Sequence, residues 1–285
     1  MQRGGDINGE ASNDNSGGAV SLSSDGSVVA IGAKYNDNTY GENAGHTRVY
    51  AWNGTAWVQR GTDIDGETAQ DLSGCAVTLS GDGNTLAIGA QQNSGGGNKS
   101  GHTRIYDWDG TAWVKRGEDI DGESAGDRSG AKVSLSGDGN VVAIGAPQNA
   151  AKGTNSGHTR IYQWDGTAWN HIGSDIDGEA ADDYSGGAVS LSRDGSTVAI
   201  GALVNDDNGS SAGHARVFQL TDLTAPTIAV TDDDADNSLG AGDTSTLTFT
   251  LSEAATDFVE ADVAVSGGSI SFCQPRGRFT IILRN

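Results

Sequence analysis

Proline, cysteine and positive charge are scarce in this 285-residue chain, which has 3 Pro, 2 Cys and 17 Lys and Arg against 38 Asp and Glu. Because the formal charge of −21 repels a phosphate backbone, nucleic acid is excluded as a partner. No apolar run is long enough for a membrane helix, so we predict no membrane insertion. The two cysteines, Cys75 and Cys273, lie far apart in sequence and make a poor disulfide framework.

Motifs of known catalytic chemistry are also missing from the sequence. It contains no G-x-S-x-G elbow, no H-E-x-x-H and no phosphate-binding loop, and no pair of acids stands out as a glycosidase pair. The sequence therefore predicts a protein that is not an enzyme.

Glycine and a regular repeat are what the chain has in abundance. It holds 44 glycines, and Gly-His pairs recur at His46, His102, His158 and His214, each 56 residues from the next. Such a period is typical of propellers and solenoids, in which each repeat is one unit packed on its neighbours.

Each repeat has the pattern of four short strands. In the third copy these are residues 133–136, 141–145, 159–164 and 168–172, and the dipeptides Asp138-Gly139 and Asp165-Gly166 predict two-residue type I′ hairpins. The predicted fold class is all-β, with four blades that are four-stranded antiparallel meanders of a β-propeller. The variable loop between the second and third strands marks one face as the place for a ligand.

The stretch SGAKVSLSGDGNVVAIGAPQN, residues 129–149, resembles the FG-GAP repeat of integrin-α-like propellers and their bacterial relatives. Gly145-Ala146-Pro147 spells the second half of that motif, whereas Ser129-Gly130 replaces the usual Phe-Gly. The resemblance implies a propeller used for extracellular binding or adhesion, often stabilised by calcium.

The 56-residue period ends before Pro226, and alternating runs follow. This tail resembles a bacterial immunoglobulin-like domain, which in full takes roughly 100 residues. We therefore predict a propeller over residues 1–223 and a partial immunoglobulin-like sandwich over residues 224–285. Met1 is followed at once by repeat sequence, as expected for a fragment of a longer protein.

An acidic phrase recurs between the blades and keeps carboxylates or an amide at positions one, three, five and nine. Alternate oxygen ligands suit calcium, but glycine lies at position four and no Glu lies at position twelve, so a hydrogen-bonded acidic turn remains the alternative. The candidate calcium ligands are Asp6, Asn8, Glu10, Asp14, Asp63, Asp65, Glu67, Asp71, Asp119, Asp121, Glu123, Asp127, Asp175, Asp177, Glu179 and Asp183.

The repeated histidines could form a set of metal ligands, but a residue found at one position in every blade usually packs between blades. The tryptophans at 52, 57, 108, 113, 164 and 169 have the same interpretation, because large aromatic rings fill the gap between sheets.

The predicted function is a non-enzymatic binding or adhesion module, secreted or at the cell surface. Its expected partner is an extracellular protein or a glycan, and calcium is the expected cofactor. A lectin-like propeller and, more remotely, a glycan-cleaving enzyme are the alternatives. The opening MQRGGDI matches the fourth strand VQRGTDI of another copy, which predicts a closed ring in which residues 2–6 pair with the strand around residues 214–218.

Overall fold

The computed structural model describes residues 1–220 and four later strands, Ile228–Asp232, Thr244–Leu251, Ser269–Cys273 and Arg278–Arg284. Within these residues all regular structure is β, as predicted. The chain divides into two compact units, Met1–Leu223 and Thr224–Asn285. Among the described residues there is no helix of the length and apolarity that a membrane span requires.

The first unit contains four successive antiparallel sheets, here called blades one to four. The strands of blade one are β1 Ala19–Leu22, β2 Val28–Ala33, β3 His46–Trp52, β4 Trp57–Gln59 and β5 Ile64–Asp65. Blade two has β6 Ser73–Leu79, β7 Thr85–Ala90, β8 His102–Trp108, β9 Trp113–Lys115 and β10 Ile120–Asp121. Blade three has β11 Lys132–Leu135, β12 Val141–Ala146, β13 His158–Trp164, β14 Trp169–His171 and β15 Ile176–Asp177. Blade four has three strands, β16 Ser185–Leu191, β17 Thr197–Ala202 and β18 His214–Gln219.

The second unit contains β19 Ile228–Asp232, β20 Thr244–Leu251, β21 Ser269–Cys273 and β22 Arg278–Arg284. These strands form one antiparallel sheet in the order β19-β20-β22-β21. An immunoglobulin-like sandwich has two such sheets. The described strands therefore supply one sheet of the predicted partial domain.

The two tight turns of each blade differ from the predicted two-residue Asp-Gly hairpins. In the first turn of blade three, the Ser136 N–H donates to the Val141 carbonyl, so four residues lie between these two hydrogen-bonded residues. In the second, Asp165 pairs with Ala168 and leaves Gly166-Thr167 as the loop. The aspartate precedes the second loop because its carboxylate accepts the N–H groups of Thr167 and Ala168, at 2.7 and 2.8 Å.

The hydrophobic core lies between successive sheets. Each blade turns one set of apolar side chains towards the next blade and another set towards the preceding one, so three inter-blade clusters result. The first cluster joins Val28, Ala30, Val49 and Ile64 of blade one to Val77, Leu79, Leu86, Ile88 and Tyr106 of blade two.

Glycine brings the backbones of neighbouring blades together at one point of each interface. A Cβ on Gly32 of β2 would overlap the Gly74 carbonyl of β6, and Gly89 stands in the same relation to Gly130. Only glycine lets two main chains approach this closely. The glycine of the recurrent Gly-Ala pair is thus required by the packing of the next blade.

The predicted closure of the ring by the N-terminal strand is wrong. Among the described residues, strand β18 pairs with β17 and with no N-terminal strand. Residues 2–6 stay at blade one, where the Arg3 guanidinium lies over the rings of Trp52 and Trp57 and donates to the Gly26 carbonyl at 2.8 Å. These aromatic contacts hold the segment on the blade that follows it in sequence, so the four sheets form an open array.

Candidate metal sites between the blades

A buried histidine begins the third strand of every complete blade. His46, His102 and His158 are each about 1% exposed, and His214, in the shorter blade four, is half-buried. Because side chains alternate along a strand, the following Thr points the opposite way and the Arg two residues on returns to the histidine's side. The His-x-Arg pattern therefore delivers an imidazole and a guanidinium to the same place in each blade.

The outer strand of each blade is broken opposite this histidine. In blade one, β4 and β5 both pair with β3, with Tyr50 opposite Gln59 and Thr47 opposite Ile64. Arg48 is thus the only β3 residue that faces the three residues 61–63, and a bulge of this kind re-aims the side chains within it. The bulge places the Asp63 carboxylate 3.8 Å from His46 Nδ1.

The third member of the group is a glutamate from the preceding acidic phrase. Glu10 Oε2 lies 3.7 Å from His46 Nδ1, while Glu10 Oε1 lies 3.5 Å from Arg48 Nη1. The other end of the Arg48 guanidinium donates to the Asn8 carbonyl at 2.7 Å. Arg48 thus links the acidic phrase before blade one to strand β3. It contacts one oxygen of Glu10, and the other oxygen faces the histidine.

A glutamate, a histidine and an aspartate come together at every blade. In each group one oxygen or nitrogen from every side chain lies within 4.8 Å of the others. The four groups are Glu10/His46/Asp63, Glu67/His102/Asp119, Glu123/His158/Asp175 and Glu179/His214/Asp207.

The electrostatic setting favours neutral imidazoles. Burial lowers the pKa of His102 to about 4, the Arg104 charge adds to this, and burial also lowers the pKa of His158. At neutral pH these rings therefore keep a lone pair for a ligand. In the described part of the chain, the Nδ1 atom of the buried His158 has no hydrogen-bond partner and lies 3.7 and 3.6 Å from the carboxylates of Glu123 and Asp175.

These separations suit a shared cation better than a direct hydrogen bond. At His46 and His158 both Nδ1-to-carboxylate distances lie between 3.6 and 3.8 Å, whereas at His102 and His214 only the glutamate lies within 4 Å, at 3.9 and 3.5 Å. All of these distances are beyond the usual N–H···O range. Tetrahedral zinc with bonds of about 2.1 Å holds its ligand atoms roughly 3.4 Å apart. A small closing movement would bring all three ligands onto one ion.

The acidic phrase is divided among different roles. Of its position-one acids, Asp63, Asp119 and Asp175 join the histidine groups, whereas Asp6 accepts a hydrogen bond from Gln2. The position-five acids join all four groups; they are Glu10, Glu67, Glu123 and Glu179. The position-three residues lie in or before the short fifth strands, and their main-chain carbonyls accept from arginine; they are Asn8, Asp65, Asp121 and Asp177.

The position-nine acids are buried turn caps. Asp71 Oδ2 accepts the N–H groups of Glu67 and Thr68 at 3.0 and 2.8 Å and the Asn93 side-chain amide at 3.2 Å. Equivalent Asn-to-Asp bonds are made in every blade, so these carboxylates are used by the fold; the acids are Asp14, Asp71, Asp127 and Asp183.

Two features of the groups were missed from the sequence. The histidines were assigned to packing, whereas the Nδ1 atoms of His46 and His158 face two carboxylates each and those of His102 and His214 face one glutamate each. Asp207, in the variable loop of blade four, takes the place of the acid from the outer strand, which blade four lacks. The shared 56-residue period of the histidines and acids was the available signal for the first three groups.

A cavity of about 430 Å³ opens beside the first two groups. Asp63 of the first group and Glu67 of the second both line it, together with Asp65, Tyr106 and the exposed Tyr40 of the variable loop. Burial raises the pKa values of Asp65 and Tyr106. The cavity is thus polar at its base and aromatic at its side.

Comparison with known families gives a match in the second part of the chain. Residues 222–280 match the bacterial Ig-like domain family, in agreement with the predicted immunoglobulin-like tail. No family model of FG-GAP repeats matches the chain, so the comparison with known families does not support that resemblance. No curated protein matches the chain.

Solved structures that are similar to the chain have distant sequences. The Pseudomonas aeruginosa periplasmic gluconolactonase has 11% identity and a TM-score of 0.45, over 82% of this chain and 64% of that one. Saccharomyces cerevisiae Sqt1 has 10% identity and a TM-score of 0.43, over 68% and 44%. A putative 6-phosphogluconolactonase from Bacteroides uniformis has 14% identity and a TM-score of 0.35, over 82% and 80%. The chain thus spans less than two thirds of the first two.

This comparison contradicts the prediction of a non-enzymatic binding or adhesion module. Two of the similar structures are named as a gluconolactonase and a putative 6-phosphogluconolactonase, so the exclusion of enzymatic activity is withdrawn. The absence of contiguous motifs was a poor ground for it, because groups such as Glu67/His102/Asp119 are assembled from residues far apart in sequence. At these identities and TM-scores the likeness transfers no activity to this chain.

Proposed function

We propose that the repeats of this protein bind divalent transition-metal ions, one at each Glu/His/Asp group. The observation that carries the proposal is the buried imidazole whose Nδ1 atom faces two carboxylates without a hydrogen bond, as at His158. A buried polar atom without a partner costs about 1–3 kcal/mol, and a cation shared with the carboxylates would offset that cost.

The ligand set favours zinc over calcium. Imidazole nitrogen suits zinc and its neighbours in the first transition row, whereas calcium takes six to eight oxygen ligands. Each group offers one nitrogen and two carboxylates. Calcium bound by the acidic phrase remains the competing prediction, and position-nine acids such as Asp71 support it poorly because the turn already uses their oxygens.

Metal counting tests the proposal directly. We expect full-length protein, dialysed against micromolar zinc chloride and analysed by inductively coupled plasma mass spectrometry, to retain about four ions per chain, and to retain far less calcium under the same treatment. Glu123→Gln should remove one ion, because it replaces a charged ligand with a neutral amide. The substitution should not disturb the fold, because the Glu123 side chain is only half-buried.

The matched control is Glu118→Gln, an exposed glutamate five residues earlier that belongs to no group. It should retain the wild-type number of ions. Zinc retention that is zero, or that falls equally in both variants, would overturn the assignment of the ions to these groups. Retention of calcium in place of zinc would instead support a calcium site formed by the oxygen ligands of the acidic phrase.

Metal-assisted hydrolysis is a second candidate function, favoured by the cavity beside Glu67. Three protein ligands leave a position on zinc for water, whose pKa the metal lowers towards 7. Zinc-loaded protein should then hydrolyse chromogenic esters or simple lactones faster than chelator-treated protein. Glu67→Gln should abolish the difference and Glu118→Gln should preserve it; equal rates with and without zinc would refute the candidate.

We also propose that the protein acts outside the cytoplasm, which the match of residues 222–280 to a bacterial Ig-like domain supports. Protease treatment of intact producing cells tests this, because a surface protein is degraded while a cytoplasmic marker survives. The FG-GAP relationship stays a proposal that the repeated Gly-Ala pair supports.

A further inference from the structure

The two end blades expose surfaces that every inner blade buries. Val217 on β18 is 69% exposed, whereas Val49, its counterpart in blade one, is 1% exposed. At the other end, Leu22 on β1 is 58% exposed, whereas its counterpart Leu79 is 6% exposed. One surface is the side of blade four that would face a following blade, and the other is the side of blade one that would face a preceding blade.

These two surfaces carry the two halves of the contact that joins neighbouring blades. Inside the array, the Leu79 N–H donates to Ser21 Oγ at 2.9 Å, and the Leu191 N–H donates to Ser134 Oγ at the same distance. Ser190 is the corresponding hydroxyl residue on blade four, and Leu22 is the corresponding leucine on blade one. Blade four therefore presents the hydroxyl that would accept this hydrogen bond, and blade one presents the leucine N–H that would donate it.

The close glycine approach is also split between the ends. Within the array, the glycine of the Gly-Ala pair meets the main chain of the next blade, as Gly145 meets Gly186. A Cβ on Gly201 of blade four would lie near Ala188 of the same blade and, among the described residues, near no other blade. Gly17, the counterpart of Gly186 on blade one, has nothing near it. Within the described residues, neither position meets the main chain of another blade.

From this complementarity we propose that blade four of one chain docks on blade one of a second copy, continuing the inter-blade interface from chain to chain. The contact is head to tail, because the two surfaces differ. Two copies joined at both ends would give eight blades, which is within the usual range of closed propellers. The occupant is a second copy because its end surface holds the same apolar, hydroxyl and glycine positions that the inner blades already use.

Charge sets the conditions under which this contact forms. Two chains of formal charge −21 repel each other, and salt screens that repulsion over about 8 Å at physiological ionic strength. Self-association should therefore strengthen as sodium chloride is raised from 10 mM to 150 mM. A contact made by surface ion pairs would weaken over the same range.

Sedimentation velocity of the full-length protein at 150 mM salt tests the proposal. We expect a concentration-dependent shift from the 29.0 kDa monomer to a species of at least twice that mass. Leu22→Glu and Val217→Glu should each be monomeric, because each destroys one of the two surfaces in every copy. Val58→Glu, at a valine of the outer strand β4 that is 49% exposed, should associate like the wild type.

Mixing the two monomeric variants gives the decisive result. Leu22→Glu retains an intact blade four and Val217→Glu an intact blade one, so an equimolar mixture should form a one-to-one dimer with a single intact contact. A wild-type protein that stays monomeric, or a mixture that does not associate, would overturn the proposal. Association of Leu22→Glu by itself would also overturn it, because that requires a contact other than head to tail.

Discussion

Asp63 and Glu67 lie four residues apart in one acidic phrase, yet they face different histidines. The Asp63 carboxylate is 3.8 Å from His46 of blade one, and the Glu67 carboxylate is 3.9 Å from His102 of blade two. The chain passes from one blade to the next between these two acids. The second, third and fourth phrases therefore each supply ligands to two neighbouring groups. The groups at His102 and His158 are complete only when the phrases on both sides of the blade are in place.

Metal should consequently stabilise the stacking of the blades. A ligand that binds only the folded state raises the free energy of unfolding by about 2.7 kcal/mol when its concentration is a hundredfold above Kd. We expect zinc to raise the midpoint of thermal unfolding relative to chelator-treated protein, and we expect Glu67→Gln to reduce the rise. Calorimetric scans with zinc, with calcium and with chelator decide the matter. Equal midpoints in all three would contradict both the zinc and the calcium predictions.

The stability of the metal-free protein should fall in mild acid. The pKa of His102 is about 4 in the folded protein against 6.5 for a free histidine, so between these values the unfolded chain binds more protons. The contribution of the neutral ring is thus present above pH 6.5 and is lost as the pH falls towards 4. Its size is of order 1–3 kcal/mol for a buried ring.

The ring of His102 faces Glu67, Asp119 and Arg104. Urea unfolding at pH 7.0, 6.0 and 5.0 should therefore compare wild type with His102→Gln. The variant should be less stable at pH 7.0, and the gap should narrow at pH 5.0. A gap that is constant with pH would show that protonation of His102 contributes nothing.

The glycines between the blades should be intolerant of a methyl group wherever a following blade is present. Gly89→Ala would place its Cβ on the Gly130 carbonyl, and we expect a loss of more than about 3 kcal/mol in the free energy of unfolding. Gly201→Ala is the matched change in blade four, where only the Ala188 side chain is near, at 3.2 Å. It should cost less than about 1 kcal/mol in the monomer; similar losses in the two variants would contradict the packing argument.

Arg60 should hold the junction between blades one and two. Its guanidinium lies over Trp108 and Trp113, donates to the Gly83 carbonyl at 2.7 Å and to Asn84 Oδ1 at 2.6 Å. Arg60→Lys loses the planar stacking and the paired donors, so we expect a cost of about 1–2 kcal/mol. Lys99→Arg, at an exposed lysine in the loop of blade two, is the control and should be neutral in urea unfolding. An unchanged midpoint for Arg60→Lys would refute the role of the stack.

The strands of each blade were predictable because their signals are local. The interval from His102 to His158 fixed the repeat, and the strands predicted at residues 133–136 and 141–145 lie within one residue of Lys132–Leu135 and Val141–Ala146. The turns were predicted less well, because the dipeptide Asp138-Gly139 identifies a turn but does not specify how many residues the side-chain hydrogen bonds enclose.

The metal groups were beyond local reasoning. Positions one, three, five and nine of the acidic phrase are equivalent candidates when only their spacing is considered. The bulge of the outer strand selects Asp119 for the group at His102, and the turn after the phrase takes up Asp127. Side chains that are regularly spaced along the chain thus point to different places once the backbone bends.

The sequence by itself determined the repeat, the all-β class and the short strands, because these follow from periodicity and from the alternation of side chains along each strand. Only the tertiary structure decided that Glu67 meets His102, that residues 2–6 stay with blade one, and that Leu22 and Val217 are left exposed. The physical reason is that these relationships depend on the stacking of one sheet on the next, which joins residues about 35 to 60 positions apart, beyond the range of any local pattern.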